Sequence, residues 1–239
     1  WVGPFYPPGT PKTAYLEEYA RRFDTVELDS TFYGAPRPGV VSGWRKRTPD
    51  GFLFSAKFPQ LITHEKKLVG AIGDAHAFVA TMEELGDRLG VLALQFAYDF
   101  GPENLARLDE FLAELPLGPH YAVEVRHRGW LTPEFTGMLR SHNAALILHD
   151  LYYMPRLDWV TADFTYIRWL GRRSDINRFH ELQIDRGKEQ AQWAQRVQGI
   201  LAKGATVWAY FNNHWAGHSP ASVRQFAALL AAGDAAGPQ

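Results

Sequence analysis

Seven short apolar stretches alternate with amphipathic ones along almost the whole chain. That alternation constrains the fold more than any other feature. Residues 25–29 (TVELD), 52–57 (FLFSAK), 91–96 (VLALQF), 121–126 (YAVEVR), 144–150 (AALILHD), 164–169 (FTYIRW) and 206–212 (TVWAYFN) have the length and the β-branched or aromatic content of strands. Segments of helical period lie between most of them, at 11–22, 38–47, 71–86, 103–115, 132–142, 188–202 and 219–232. Strands that alternate with helices pair in parallel, because each crossover returns the chain to the same end of the sheet. The pattern predicts an α/β fold, a TIM-like (β/α) barrel. Such barrels close with eight strands, so the first strand is expected to precede Trp1. Residues 1–10 read as a Pro/Gly-rich loop and 233–239 as a flexible tail. No linker or change of composition divides 1–239, which is expected to be a single barrel domain.

Charge and composition exclude more than they select. Lys plus Arg is 25 against 26 Asp plus Glu, a formal net charge of −1, so no global basic field argues for nucleic acid. The chain has no cysteine. Disulfides, thiolate catalysis, iron–sulfur clusters and cysteine zinc sites are therefore ruled out. No apolar run reaches the roughly 18 residues that span a bilayer, and no leader is visible, so a cytoplasmic protein with no membrane partner is expected. P-loop, GxGxxG and GxSxG patterns are absent, so no nucleotide cofactor is implied and the cofactor remains unknown.

Strand parity locates the candidate site. Side chains alternate across a strand. Val26 and Leu28 therefore oppose Glu27 and Asp29, and Phe52 and Phe54 oppose Ser55 and Lys57. Leu92, Leu94 and Phe96 oppose Gln95, and Val123 and Val125 oppose Glu124 and Arg126. Ile167 and Trp169 oppose Tyr166 and Arg168, Val207 and Phe211 oppose Tyr210 and Asn212, and Asp150 ends its strand. The apolar parity needs cover from helices, so the other is expected to face the barrel axis. Its polar members lie at the C-terminal strand ends, where this fold binds ligands. Four acids (Glu27, Asp29, Glu124, Asp150) and three bases (Lys57, Arg126, Arg168) form a nearly balanced set, suited to ion pairs around a polar or anionic ligand. Arg forks match phosphate or carboxylate, and carboxylates among charges have movable pKa values.

Other signals are weaker. A metal site needs clustered carboxylates or imidazoles. Glu27, Asp29, Glu124, Asp150, His127 and His149 could supply them, but the interleaved cations repel a metal ion, so no metal residues are assigned and a divalent metal is disfavoured. His64 follows Lys57 in a loop that could bring it over the pocket. Arg45-Lys46-Arg47 and Arg172-Arg173 fit solvated faces. With Trp130, Trp169 and Trp215 nearby, Arg172-Arg173 could instead build a stacking surface for nucleic acid. Asn212 and Asn213 suit either ligand binding or a turn after a strand.

Several blocks resemble a known family. VELDSTFYGAP (26–36), GFLFSAKFPQLITH (51–64), EVRHRGW (124–130), the strand end at Asp150, FTYIRWLG (164–171) and YFNNH (210–214) are similar to the YecE-like family, a domain of unknown function numbered seventy-two. The resemblance runs from Trp1 to about residue 230 and implies a TIM-like barrel without an established reaction. It also implies a Gly-Thr-Ser-Gly-Trp-type first strand and turn just before Trp1. Asp29 stands where the family pattern has Asn, QFAYDF (95–100) replaces a Gln-Leu-Pro-Pro stretch, and RWLG (168–171) replaces Arg-x-His-Gly.

Two functional readings follow. In the first, an enzyme acts on a phosphorylated or other anionic substrate, such as a phosphodiester, as a hydrolase or isomerase of unknown specificity. Glu124, Asp150, Lys57 and His64 are its catalytic candidates. Glu27, Asp29, Gln95, Arg126, His127, Trp130, Tyr166, Arg168, Asn212 and Asn213 are its substrate-binding candidates. In the second, a non-catalytic barrel binds a small anion or nucleic acid and the charges form structural pairs. Oligomeric state is open in both.

Overall fold

The computed structural model describes residues 1–235. Its seven strands are β1 (Thr25–Leu28), β2 (Leu53–Lys57), β3 (Leu89–Gln95), β4 (His120–Glu124), β5 (Ala145–Asp150), β6 (Phe164–Trp169) and β7 (Thr206–Phe211). All pair in parallel, in the order β1-β2-β3-β4-β5-β6-β7. The helices are α1 (Tyr15–Ala20), α2 (Val40–Lys46), α3 (Ile72–Met82), α4 (Leu105–Glu114), α5 (Pro133–Ser141), α6 (Gly187–Leu201) and α7 (Ser219–Ala235). Each expected strand and helix is present, with boundaries moved by a few residues. The expected tail is helical as far as Ala235, and 236–239 lie outside the described residues.

Local chemistry explains the element boundaries. Thr132 caps α5 by accepting the Phe135 N–H at 3.2 Å, and Pro133 occupies the first helical position, where it loses no hydrogen bond. In α4, Leu108, Phe111 and Leu112 are buried at the three- and four-residue spacing that lines one helix face.

Backbone packing divides the chain into two compact units, Pro11–Leu146 and Trp1–Thr10 with Ile147–Gln239. In the first unit, β1–β4 and the start of β5 form a sheet whose apolar face carries the fully buried Phe54, Ala56, Leu92, Leu94 and Val123. One irregularity sets its register. Phe54 pairs with Leu89 but Ala56 with Leu92, so β3 spends one extra residue there. The Ser55 hydroxyl accepts the Val91 N–H at 3.2 Å inside that bulge. Beyond it, Lys57 pairs with Ala93 and Gln95 with Glu124.

In the second unit, the end of β5 pairs with β6 and β6 with β7. The buried face carries Trp169, stacked on Phe211 at 4.1 Å and packed edge-on against Trp193 of α6 at 5.6 Å. Residues 1–10 contain no regular element beyond a Val2–Tyr6 bridge, yet Phe5 and Tyr6 are buried. Among the described residues, no helix is long and apolar enough to cross a membrane.

Candidate functional site

Register places a row of polar side chains on one face of the sheet in the unit Pro11–Leu146. Glu27 pairs with Ser55, Lys57 lies two residues further along β2 and pairs with Ala93, and Gln95 pairs with Glu124. Paired residues of parallel strands point the same way, so Glu27, Ser55, Lys57, Gln95 and Glu124 share a side. Ser55, Lys57, Gln95 and Glu124 are all buried. Buried charge is retained only when paired, and the pairs are present. The Lys57 ammonium bonds to Asp29 and lies 3.5 Å from Glu27 Oε1. The Lys57 backbone N–H donates to Thr31 Oγ1 at 3.2 Å, which ties the turn after β1 to the end of β2.

The second pair lies at the end of β4. Arg126 donates through both Nε and Nη2 to Glu124 Oε1, each at 2.9 Å. Glu124 is wholly buried, whereas the Arg126 side chain keeps 28% exposure. The carboxylate thus fixes one edge of a guanidinium that stays partly exposed.

His64 lies within electrostatic reach of this pair, in the π-helical turn Leu61–Glu65 that follows β2. Such turns are frequent at functional sites. The ring is half-buried, meets Phe32 edge-on at 5.0 Å, and has Nδ1 2.9 Å from the Thr63 hydroxyl. Burial, then the positive field of Arg126, holds its pKa below the ordinary histidine value, against smaller opposing pulls from Asp99 and Glu124. The loop continues through Lys67 and Leu68, both at positive φ (47° and 72°), a conformation that costs side-chain-bearing residues energy and concentrates at functional segments. His127 is half-exposed and its Nδ1 accepts the Gly129 N–H at 3.0 Å.

Trp130 belongs to the core. It is buried, donates Nε1–H to the Phe100 carbonyl at 2.7 Å, and packs on Phe135 at 4.8 Å. Trp169 and Trp215 are buried as well. The stacking surface expected from these three tryptophans is therefore corrected: a large indole after a strand served the core.

In the unit holding β6 and β7, His149 pairs with Arg168 and Arg168 with Tyr210, so these three share a face with Tyr166. All but Tyr210 are buried, and Tyr166 packs on Tyr210 at 5.2 Å. Asp150 pairs with Trp169 on the opposite face. There it accepts Trp193 Nε1–H at 2.8 Å and the Arg156 Nε–H at 2.9 Å. The expectation that Asp150 joins the polar face is overturned, because alternation along β5 gives Asp150 the parity of Trp169 and not that of Arg168. His149 occupies the polar position instead, a residue that parity counted back from Asp150 could have found. Asn212 and Asn213 act in turns. Asn212 Oδ1 accepts the His214 N–H at 2.9 Å, and Asn213 Oδ1 accepts from Trp1 Nε1 at 2.9 Å and from the Ser219 hydroxyl at 2.8 Å. Among the described residues, no three His, Asp or Glu side chains cluster as metal ligands.

The family model described as "Protein of unknown function DUF72" matches residues 1–239. The chain belongs to the DUF72 family. The UPF0759 protein YecE of Escherichia coli K12 is 44% identical over 112 residues, 47% of this chain and 41% of YecE. The match thus spans about two fifths of that relative's length. YunF of Bacillus subtilis strain 168 is 25% identical across 94% of this chain and 89% of its own. A DUF72 protein from Thermotoga maritima superposes with a TM-score of 0.82 at 25% identity, covering 97% of this chain and 94% of that one. One from Enterococcus faecalis does so with 0.76 at 24%, covering 92% and 94%. These DUF72 neighbours show the α/β TIM-like fold.

Proposed function

We propose that the C-terminal ends of β1–β4 form an enzyme site for a phosphorylated or otherwise anionic substrate. The observation that carries this reading is the Glu124–Arg126 fork, whose charges reach His64. A buried carboxylate fixes one edge of a guanidinium that stays 28% exposed, and the remaining planar donors fit phosphate or carboxylate. His64, held neutral at pH 7 by its surroundings, takes a proton from the reacting group, as a base with a pKa near or below the working pH does. Glu124 positions Arg126. Glu27 and Asp29 hold Lys57 on the same face as Gln95.

Binding of inorganic phosphate tests the anion site. At about 100 times its Kd, phosphate should stabilise the folded protein by about 2.7 kcal/mol, seen as a rise in Tm. Arg126→Ala should remove most of that rise. An unchanged phosphate response in Arg126→Ala defeats the reading. Chemistry is tested separately on a chromogenic phosphodiester, where His64→Ala should lower turnover about 100-fold or more. Equal turnover in His64→Ala removes His64 from the mechanism.

A further inference from the structure

The loop that joins β3 to α4 displays an aromatic ring in an unusual way. Tyr98 is 62% exposed although the residues on both sides of its loop are anchored in the core. Phe96 and Phe100 are fully buried and stack face to face at 4.0 Å. Phe100 stacks in turn on Trp130 at 5.6 Å, and its carbonyl accepts the indole N–H. The Phe100 N–H donates to the Ala97 carbonyl at 3.2 Å. Residues 97–99 are thus a short arch over a rigid aromatic stack, and Tyr98 is held outward instead of merely failing to find cover. Isolated exposed aromatics are common. This one stands at 5.2 Å from the His127 ring, and His127 directly follows Arg126. The next residue in the arch, Asp99, bonds Lys67 at 2.6 Å, adding an acceptor and a cationic donor to the same loop. The Asp99 charge reaches His64.

We infer that the anionic substrate of this site is a nucleotide, whose phosphate meets Arg126 and whose heterocycle stacks on Tyr98. This deepens and rests on the proposed anion site. Phosphate and base are the two recognisable parts of that ligand, and a guanidinium one residue before His127 together with a solvent-facing ring packed on His127 matches both. Every base has a π-face for Tyr98 to cover, and the Asp99–Lys67 pair offers polar partners to its edge. A bare sugar phosphate would use the fork and leave Tyr98 idle.

The experiment measures Kd for inorganic phosphate, ribose phosphate and AMP by calorimetry on the wild-type chain, Tyr98→Ala and Tyr98→Phe. AMP should bind at least about fivefold tighter than ribose phosphate to the wild type, the smaller end of a stacking contribution. Tyr98→Ala should bring that ratio close to one, and Tyr98→Phe should keep it, because the ring survives. Equal affinities for AMP and ribose phosphate in the wild type, or a ratio unchanged in Tyr98→Ala, overturn the nucleotide inference and leave the anion site standing. Failure of all three ligands, phosphate included, overturns the anion site itself.

Discussion

Glu124 holds Arg126 through a single carboxylate oxygen, with Nε and Nη2 both 2.9 Å from Oε1, and only the arginine reaches solvent. The two residues are separated by Val125, which turns into the apolar core. Strand alternation therefore puts acid and base on the same side, two positions apart. The buried member sets the angle of the exposed one.

Glu124→Gln keeps the shape and one carbonyl acceptor but removes the charge that fixes the fork. Phosphate affinity should fall about tenfold, equivalent to about 1.4 kcal/mol, while the protein still folds. Calorimetric titration with phosphate measures the fall, and circular dichroism checks the fold. An affinity equal to wild type would show that Arg126 needs no positioning.

The pH dependence of His64 has a definite sign. Its folded pKa is below the unfolded value of about 6.5, so the native state favours the neutral ring. The stabilisation is complete above that unfolded pKa and is lost as pH falls through the lower folded one. Thermal melts at pH 7 and pH 5 should therefore show a larger drop for the wild type than for His64→Gln. Proton resonances of the imidazole should titrate below the ordinary histidine range. A titration at or above it would contradict the burial seen around the ring.

Asp150 has a structural task that two substitutions separate. Asp150→Ala leaves the wholly buried Trp193 indole N–H without its acceptor. A buried donor left unmade costs about 1–3 kcal/mol, to be read from urea denaturation. Asp150→Asn retains a carbonyl oxygen for the indole and should recover most of the loss. Equal destabilisation by both would point to the Arg156 ion pair instead.

Gly171 lies in the left-handed region at φ +68°, and a Cβ there would stand 1.9 Å from the His214 carbonyl oxygen. Backbone cannot yield as a flexible side chain does. Gly171→Ala should therefore cost more than about 2 kcal/mol, the strain of the conformation plus the clash. Gly43→Ala, where nothing lies within 4 Å and the residue is helical, should be neutral or slightly stabilising. Denaturation midpoints of the two variants make the comparison.

The sequence by itself determined the strands, their parallel pairing and most of the polar row. Period-two alternation separates Glu27 from Val26, and Glu124 from Val123, before any contact is known. Only the tertiary structure decided three things. The extra residue of β3 between Leu89 and Leu92 sets which residue faces which, so that Lys57 pairs with Ala93, and an extra residue in one strand leaves no mark in composition. Pairing partners decide whether a strand-end acid meets a base of its own strand or a neighbouring helix, so Glu124 meets Arg126 whereas Asp150 meets Trp193. Burial, finally, separates aromatic rings of the same type. Trp130 fills the core while Tyr98 stands in solvent, because long-range packing, which no local pattern encodes, ties Phe96, Phe100 and Trp130 into one stack.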